Sequence, residues 1–206
     1  MTDPAIEAIQ QALDVTLPAF YIEFLQQHAL EHTRNFNDLT SLLGVEDVVQ
    51  RNRDYEIQRW MPGYIMIGND SGDYGILVRD AVTNDPRIYL AGLGVLSVDD
   101  TAILDHSIAT WAERGYPCDS EEVIEPSPYT RQREAAMEAY RLTPDYLWHQ
   151  RAGELQLELN TIEKAKAGKA IDLKTYLARK KEIQANIALH EANNDGYLPF
   201  HQWWMR

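Results

Sequence analysis

The residues best spaced for chemistry lie in one short run, Gly68-Asn-Asp-Ser-Gly-Asp73. Asn69, Asp70, Ser71 and Asp73 offer the hard oxygen ligands that suit a divalent cation. The run lacks the bidentate glutamate that closes a dedicated calcium loop. It also has the look of a nucleophilic-serine neighbourhood. A triad, however, is defined by a His and an Asp in space, and no His here has matching context. The third reading is a hairpin turn, in which Asn, Asp and Gly adopt the backbone angles other residues resist. Such a turn still displays its carboxylates to a partner.

The remaining reactive residues are scattered. His28 and His32 stand four apart with Glu31 between them, the spacing of two ligands on one helix face. Their order is not that of a zinc protease, and no third ligand can be nominated. Cys118 is the single cysteine and is followed by acidic residues, which raise a thiol pKa and disfavour a thiolate nucleophile. Asn193-Asn194-Asp195-Gly196 reads as a helix stop and turn rather than a calcium site. Arg179-Lys180-Lys181 reads as a solvated helix face. There is no glycine-rich phosphate loop, no CxxC pair and no basic patch interleaved with aromatics. Nothing places two carboxylates in a defined cleft, as a carboxylate hydrolase needs. The expectation is a protein that is not an enzyme, with no catalytic residues, no metal and no cofactor.

Composition supports a folded, acidic chain. Hydrophobic residues make up 45% of the 206, enough for a core and against wholesale disorder. Residues 1–120 hold 19 Asp and Glu against 7 Arg, a net charge of −12. Residues 121–206 hold 13 acids against 12 bases, a net charge of −1, and every lysine lies at or beyond Lys164. The first region therefore carries almost the whole negative field. Such a field repels nucleic acid and attracts basic partners, although many acidic proteins are so only for solubility. No apolar run reaches the roughly 20 residues that span a bilayer. The opening MTDPAIEAIQQALD is acidic, without the basic start of a secretion signal. A single cysteine excludes an internal disulfide framework, so a cytoplasmic location is expected.

The elements that must position these residues follow from periodicity. Asp3-Pro4 reads as a cap and first helical position, with Ile6, Ile9 and Leu13 on one stripe. A second helix runs from Pro18 to about His28, with Phe20, Phe24 and Leu25 on its apolar face. A third is expected from Val45 to Trp60, with Val48, Val49, Tyr55 and Trp60 inward. The period then becomes two. Tyr64–Ile67, Tyr74–Arg79 and Arg87–Ala91 read as strands joined by turns at Asn69-Asp70-Ser71-Gly72-Asp73 and Asn84-Asp85-Pro86, an antiparallel meander. Asp99 or Asp100 is expected to cap a helix from Thr101 to Arg114 that lays Ile103, Leu104, Ile108 and Trp111 on the sheet. The fold class is thus α+β, a meander sheet packed against helices, followed by a C-terminal helical extension.

The extension begins after an aperiodic, proline-containing, acidic stretch. The expected division is residues 1–118 as the α+β domain, 119–128 as linker and 129–206 as helices. Ser127-Pro128 and Thr143-Pro144 read as helix starts. Leu155, Leu159 and Ile162 form one stripe; Leu173, Tyr176 or Leu177, Lys180, Ile183 and Ile187 form another, interrupted only by the lysine, and Gly168 lies between them. That is an αα-hairpin, and it is a candidate oligomerisation module. The tail is aromatic, and Trp203 and Trp204 either dock it or belong to an interface.

The order of these elements resembles the SUKH superfamily, whose best-known members are bacterial immunity proteins and fungal cell-wall regulators. Leu17-Pro18, Tyr21 and Phe24-Leu25 are similar to its early helix motif. Ile65–Ile67, the Gly68–Asp73 run and Tyr74–Leu77 resemble its first hairpin, and Ile88-Tyr89 the strand that follows. Ile108, Ala109 and Trp111 resemble its closing helix. The resemblance covers about residues 1–118. Where the family usually has Asn-Gly after the second helix, this chain has His28-Ala29-Leu30-Glu31. The resemblance implies no catalysis and a cognate protein partner, commonly an intracellular toxin domain.

An acidic surface can mimic the nucleic acid that a basic toxin holds, and it steers fast association. The expectation is therefore a bacterial immunity-type protein that neutralises a basic toxin, such as a nuclease, without itself binding nucleic acid or membrane. Asp70, Asp73, Asp80, Asp85, Asp99 and Asp100 fall at expected turns and strand ends and are the candidate partner contacts. The alternative is a non-catalytic scaffold or regulator that uses its C-terminal helices for docking or as a homo-oligomer contact.

Overall fold

Apolar stripes and proline starts set the first helices. The computed structural model describes residues 3–206. Helix α1 (Asp3–Leu13) buries Ile6, Ile9 and Leu13, and α2 (Ala19–Gln27) buries Tyr21, Phe24 and Leu25. The expected cap by the Asp3 side chain lies outside what is described. After α2, Ala29 takes a left-handed φ of 47°, the position at a helix end that favours glycine.

Two short strands follow, β1 (Arg34–Asn35) and β2 (Ser41–Leu42). The expected third helix is two pieces, α3 (Val45–Asp54) and α4 (Ile57–Trp60). The break is at Glu56, which is left-handed at φ 51° and so cannot continue a right-handed helix. Trp60, expected inward, is 51% exposed; its indole donates to Glu56 at 3.1 Å and Arg59 lies over its ring.

The expected meander is the middle of a larger sheet. Strands β3 (Tyr64–Asn69), β4 (Tyr74–Arg79) and β5 (Ile88–Gly92) stand where period two placed them. They are flanked by β1 and β2 on one side and by β6 (Ala102–Asp105) on the other. Among the described residues the sheet thus has six strands, in chain order and antiparallel throughout. β6 corrects the expected Thr101–Arg114 helix: Ile103 pairs with Tyr89, and the helix that remains is α5 (Ile108–Glu113), capped by Ser107 rather than by Asp99 or Asp100. Trp111 is fully buried and donates its indole N–H to the Pro117 carbonyl at 2.7 Å.

Two polar clamps hold this unit together. Asn52 on α3 is fully buried and donates to the Val48 and Met66 carbonyls at 2.8 Å. Its amide oxygen accepts from the Met66 N–H at 2.9 Å and from Gln58 at 3.0 Å, so one side chain ties α3 to β3. The tie lies beside a register shift between Met66 and Gly68. There Gly68 packs so closely on β2 that a Cβ would lie 2.6 Å from the Ser41 carbonyl oxygen and from a Leu42 methyl. The second clamp is Arg114, which pairs with the buried Asp105 at 2.9 Å and donates to the Leu104 and Glu122 carbonyls.

The first compact unit ends at Arg131, within helix α6 (Pro128–Arg141), and the second runs from Gln132 to Arg206. Residues 119–128 are held against the sheet: Ile103 donates to the Glu125 carbonyl at 2.9 Å, and its own carbonyl accepts from Ile124. In the second unit, α7 (Pro144–Ala167) and α8 (Leu173–Ala192) form the expected αα-hairpin around Leu155, Ile162 and Ile183. Thr143 caps α7, as its type predicts, and the helix ends at Gly168, after which Lys169 takes the left-handed position at φ 58°. The tail forms α9 (Phe200–Trp203) and docks within this unit. Tyr140 donates to the Leu198 carbonyl at 2.8 Å and packs on Phe200 and Trp203, and Phe200 stacks on Trp204.

Candidate functional site

The Gly68–Asp73 run folds as the hairpin turn between β3 and β4. Asn69 accepts from the Ser71 N–H at 2.9 Å, and Asp70 accepts from the Gly72 and Tyr74 N–H groups at 2.8 and 3.0 Å. Ser71 is left-handed at φ 62°. The cation reading thus loses the Asp70 oxygen spent on the turn. Asp73 is exposed, and none of the turn's hydrogen bonds uses its carboxylate. Among the described residues no group of three His, Cys, Asp or Glu is placed to hold a metal ion.

The two histidines diverge. His28 ends α2, with its ring against Phe24 and Phe36; burial and then nearby Arg34 lower its pKa. His32 pairs with Glu46 at 3.0 Å. Cys118 is buried, and burial first, with Asp70, Glu122 and Asp119 adding to it, raises its thiol pKa against a hydrogen bond from Thr40. A thiolate is disfavoured there, chiefly for a reason the sequence did not show.

Antiparallel register sorts the six candidate aspartates into two groups. Tyr74 opposite Gly92 marks one end of the β4–β5 ladder, and Val78 opposite Ile88 the other. Asp70 and Asp73 lie at the first end, where the Leu93 N–H donates to the Asp73 carbonyl at 2.7 Å, and Asp99 and Asp100 join them because β6 starts with Ala102 opposite Leu90. Asp99 is exposed, with its backbone N–H bonded to Ser97; Asp100 accepts from the Ser127 hydroxyl at 3.1 Å. Asp80 and Asp85 lie at the opposite end. Asp80 has one buried carboxylate oxygen without a hydrogen-bond partner. Asp85 is used internally: Arg87 holds it through two bonds at 2.8 and 2.7 Å, and the Tyr89 hydroxyl donates at 2.6 Å. Burial opposes its ionisation, but the bonds from Arg87 and Tyr89 outweigh burial and bring its pKa down to about 2.

Asp73 and Asp100 of the first group line a groove of about 620 Å³. Its floor is one face of the sheet, Tyr74, Leu90, Gly92 and Ala102, which register places on the same side. One wall is the loop after β5, with Val95 at its lip; the other is residues 120–127, with Val123 and Pro126. The segment expected to be a linker is therefore a wall of the groove that Asp73 and Asp100 line. Its signal was present in Val123 and Ile124, two apolar residues in an otherwise acidic stretch. Asn52, Asp105 and Arg114, which hold the frame, carried no such signal.

A comparison with curated proteins found no match. The sequence model of the SMI1 / KNR4 family (SUKH-1) matches residues 1–114, which takes in α1 through α5 and every strand of the sheet. That is more than half of the chain, and it spans the unit that carries the carboxylates and the groove's floor. This chain belongs to the SMI1/KNR4 (SUKH-1) family.

Proposed function

We propose that the first unit is a non-catalytic protein-binding domain of the immunity type, which captures a basic toxin domain on its acidic surface. The observation that carries the reading is charge. Residues 1–131 hold 22 acids against 8 bases, a net charge of −14, with no lysine, whereas residues 132–206 hold 10 acids against 11 bases. A field of that sign raises the encounter rate with a cationic protein and repels nucleic acid. Family membership supports a role in binding. A toxin that acts on nucleic acid fits best, since such a protein must itself be basic to hold phosphates.

The test is co-purification with the protein encoded beside this one, together with growth of cells that make that protein. The expected result is a complex that weakens as salt rises, since exposed charges are screened, and restored growth. No complex and no rescue would sink the reading.

A second reading, a scaffold that self-associates through the α7–α8 hairpin, rests on exposed leucines there. Leu157, Leu173, Leu177 and Leu189 are each more than half exposed. Light scattering of the full chain decides it: a monomer removes this alternative.

A further inference from the structure

We infer that the groove between the loop after β5 and residues 120–127 is the docking point, and that it takes an apolar side chain flanked by lysine or arginine on a partner protein. This rests on the protein-binding reading above. Two independent features converge there. The first is shape: the floor and walls are mostly apolar, about 620 Å³ is room for one large side chain and its flanks, and exposed Val95 adds an apolar residue to the lining. A patch of this kind rimmed by polar residues marks an interaction site.

The second feature is charge. Asp73 and Asp100 are in the lining, Asp99 stands beside Asp100, and Glu121, Glu122 and Glu125 lie along the wall segment. The neighbouring cations are already committed. Arg114 is bound to Asp105 and two carbonyls, and Arg131 is 3.9 Å from Glu125. The groove thus offers an apolar pocket inside a negative rim. That favours a basic loop over a second copy of this unit, which carries the same negative field. The docking point takes in Asp73, Asp99 and Asp100 and leaves out Asp80 and Asp85, which sit at the other end of the sheet.

The probe is acetyl-Arg-Lys-Leu-Lys-Arg-amide, titrated into the isotope-labelled full chain and followed by amide NMR. Expected are shifts centred on Tyr74, Gly92, Val95 and Val123, weaker binding when the probe's Leu is Ala, and about tenfold weaker binding for Asp73→Lys. Glu7→Lys, the same charge change on exposed α1, is expected to have a smaller effect. Shifts spread over the acidic surface, with Asp73→Lys and Glu7→Lys equal, would overturn the inference. Asp73→Asn, checked by an unchanged melting curve, guards against a folding defect. If a captured toxin binds the Asp73→Lys, Val95→Glu chain as tightly as the native one, the groove is wrong and the binding reading stands. If the full chain captures no toxin, it is the reading that fails.

Discussion

The two units reach stability by different routes. The first joins strands and loops far apart in sequence: β3 to β2, Asn52 to Met66, and the Thr40 hydroxyl to the Tyr116 carbonyl. The second is mostly helix, two long helices whose own backbone bonds are local, with a few buried residues between them and an aromatic tail tied back to α6 by the Tyr140–Leu198 bond, across 58 positions. Non-local contacts fix a shape that a surface groove needs, at the cost of depending on single buried polar residues. Local helices tolerate change and leave apolar residues in solvent. In this chain the charge follows the first kind of architecture and not the second.

The largest expected effect breaks the first unit alone. Asn52→Leu leaves the Met66 N–H and carbonyl buried without partners, a loss of about 3 kcal/mol. Hydrogen exchange read by mass spectrometry should show faster exchange across α3 and β3, with α7 and α8 unchanged. If α7 and α8 lose protection equally, the two units are not independent.

Acid comes next. Asp85, ordinarily near 3.8, is held at about 2 in the fold. A depressed carboxyl stabilises the folded state above its unfolded pKa and ceases to as pH falls through its folded one. The first unit should therefore lose about 1–2 kcal/mol between pH 4 and pH 2 from this residue, after allowance for the partial exposure of Arg87. Asp105 is also lowered: burial opposes that shift, but bonds from Thr110 and Arg114 outweigh it. The second unit has a lowered carboxyl at exposed Asp172, through its bonds to Thr175. Urea unfolding at both pH values, followed in each unit, checks the contrast; Asp85→Asn should flatten it.

The smallest effect is a gain. Ala29 is left-handed, which costs an alanine and not a glycine. Ala29→Gly should stabilise the first unit by about 0.5 kcal/mol net of the added freedom of the unfolded chain. A loss in thermal melting would show that its methyl matters more than its backbone.

How much was legible follows the same division. Helix caps, proline starts and period-two strands are local signals, so α2, the β3–β4 turn and the α7–α8 hairpin could be read from residues alone. β6 could not: Ile103, Leu104, Ile108 and Trp111 fit a helical stripe as well as they fit a strand and a short helix. Pairing with β5 settles it, and that partner is 14 positions away from Ile103. The break at Glu56 was hidden because apolar residues continue on both sides of it. The aspartates were found as a set because their types mark turns. Their division between two ends of the sheet depends on register, which sequence spacing does not carry.

Gly68 has a wider consequence. β2 is two residues long, yet it pairs with Gly68 and Asn69 at the end of β3, next to the buried Ile65, Met66 and Ile67, and Leu43 just after it donates to the Ile67 carbonyl. The close approach at Gly68 is what lets so short a strand seat there. Any side chain at that position would push β2 away and leave an apolar strand with unpaired backbone groups, the template on which another chain adds. One missing Cβ thus decides whether that stretch of β3 is paired within the chain or left open.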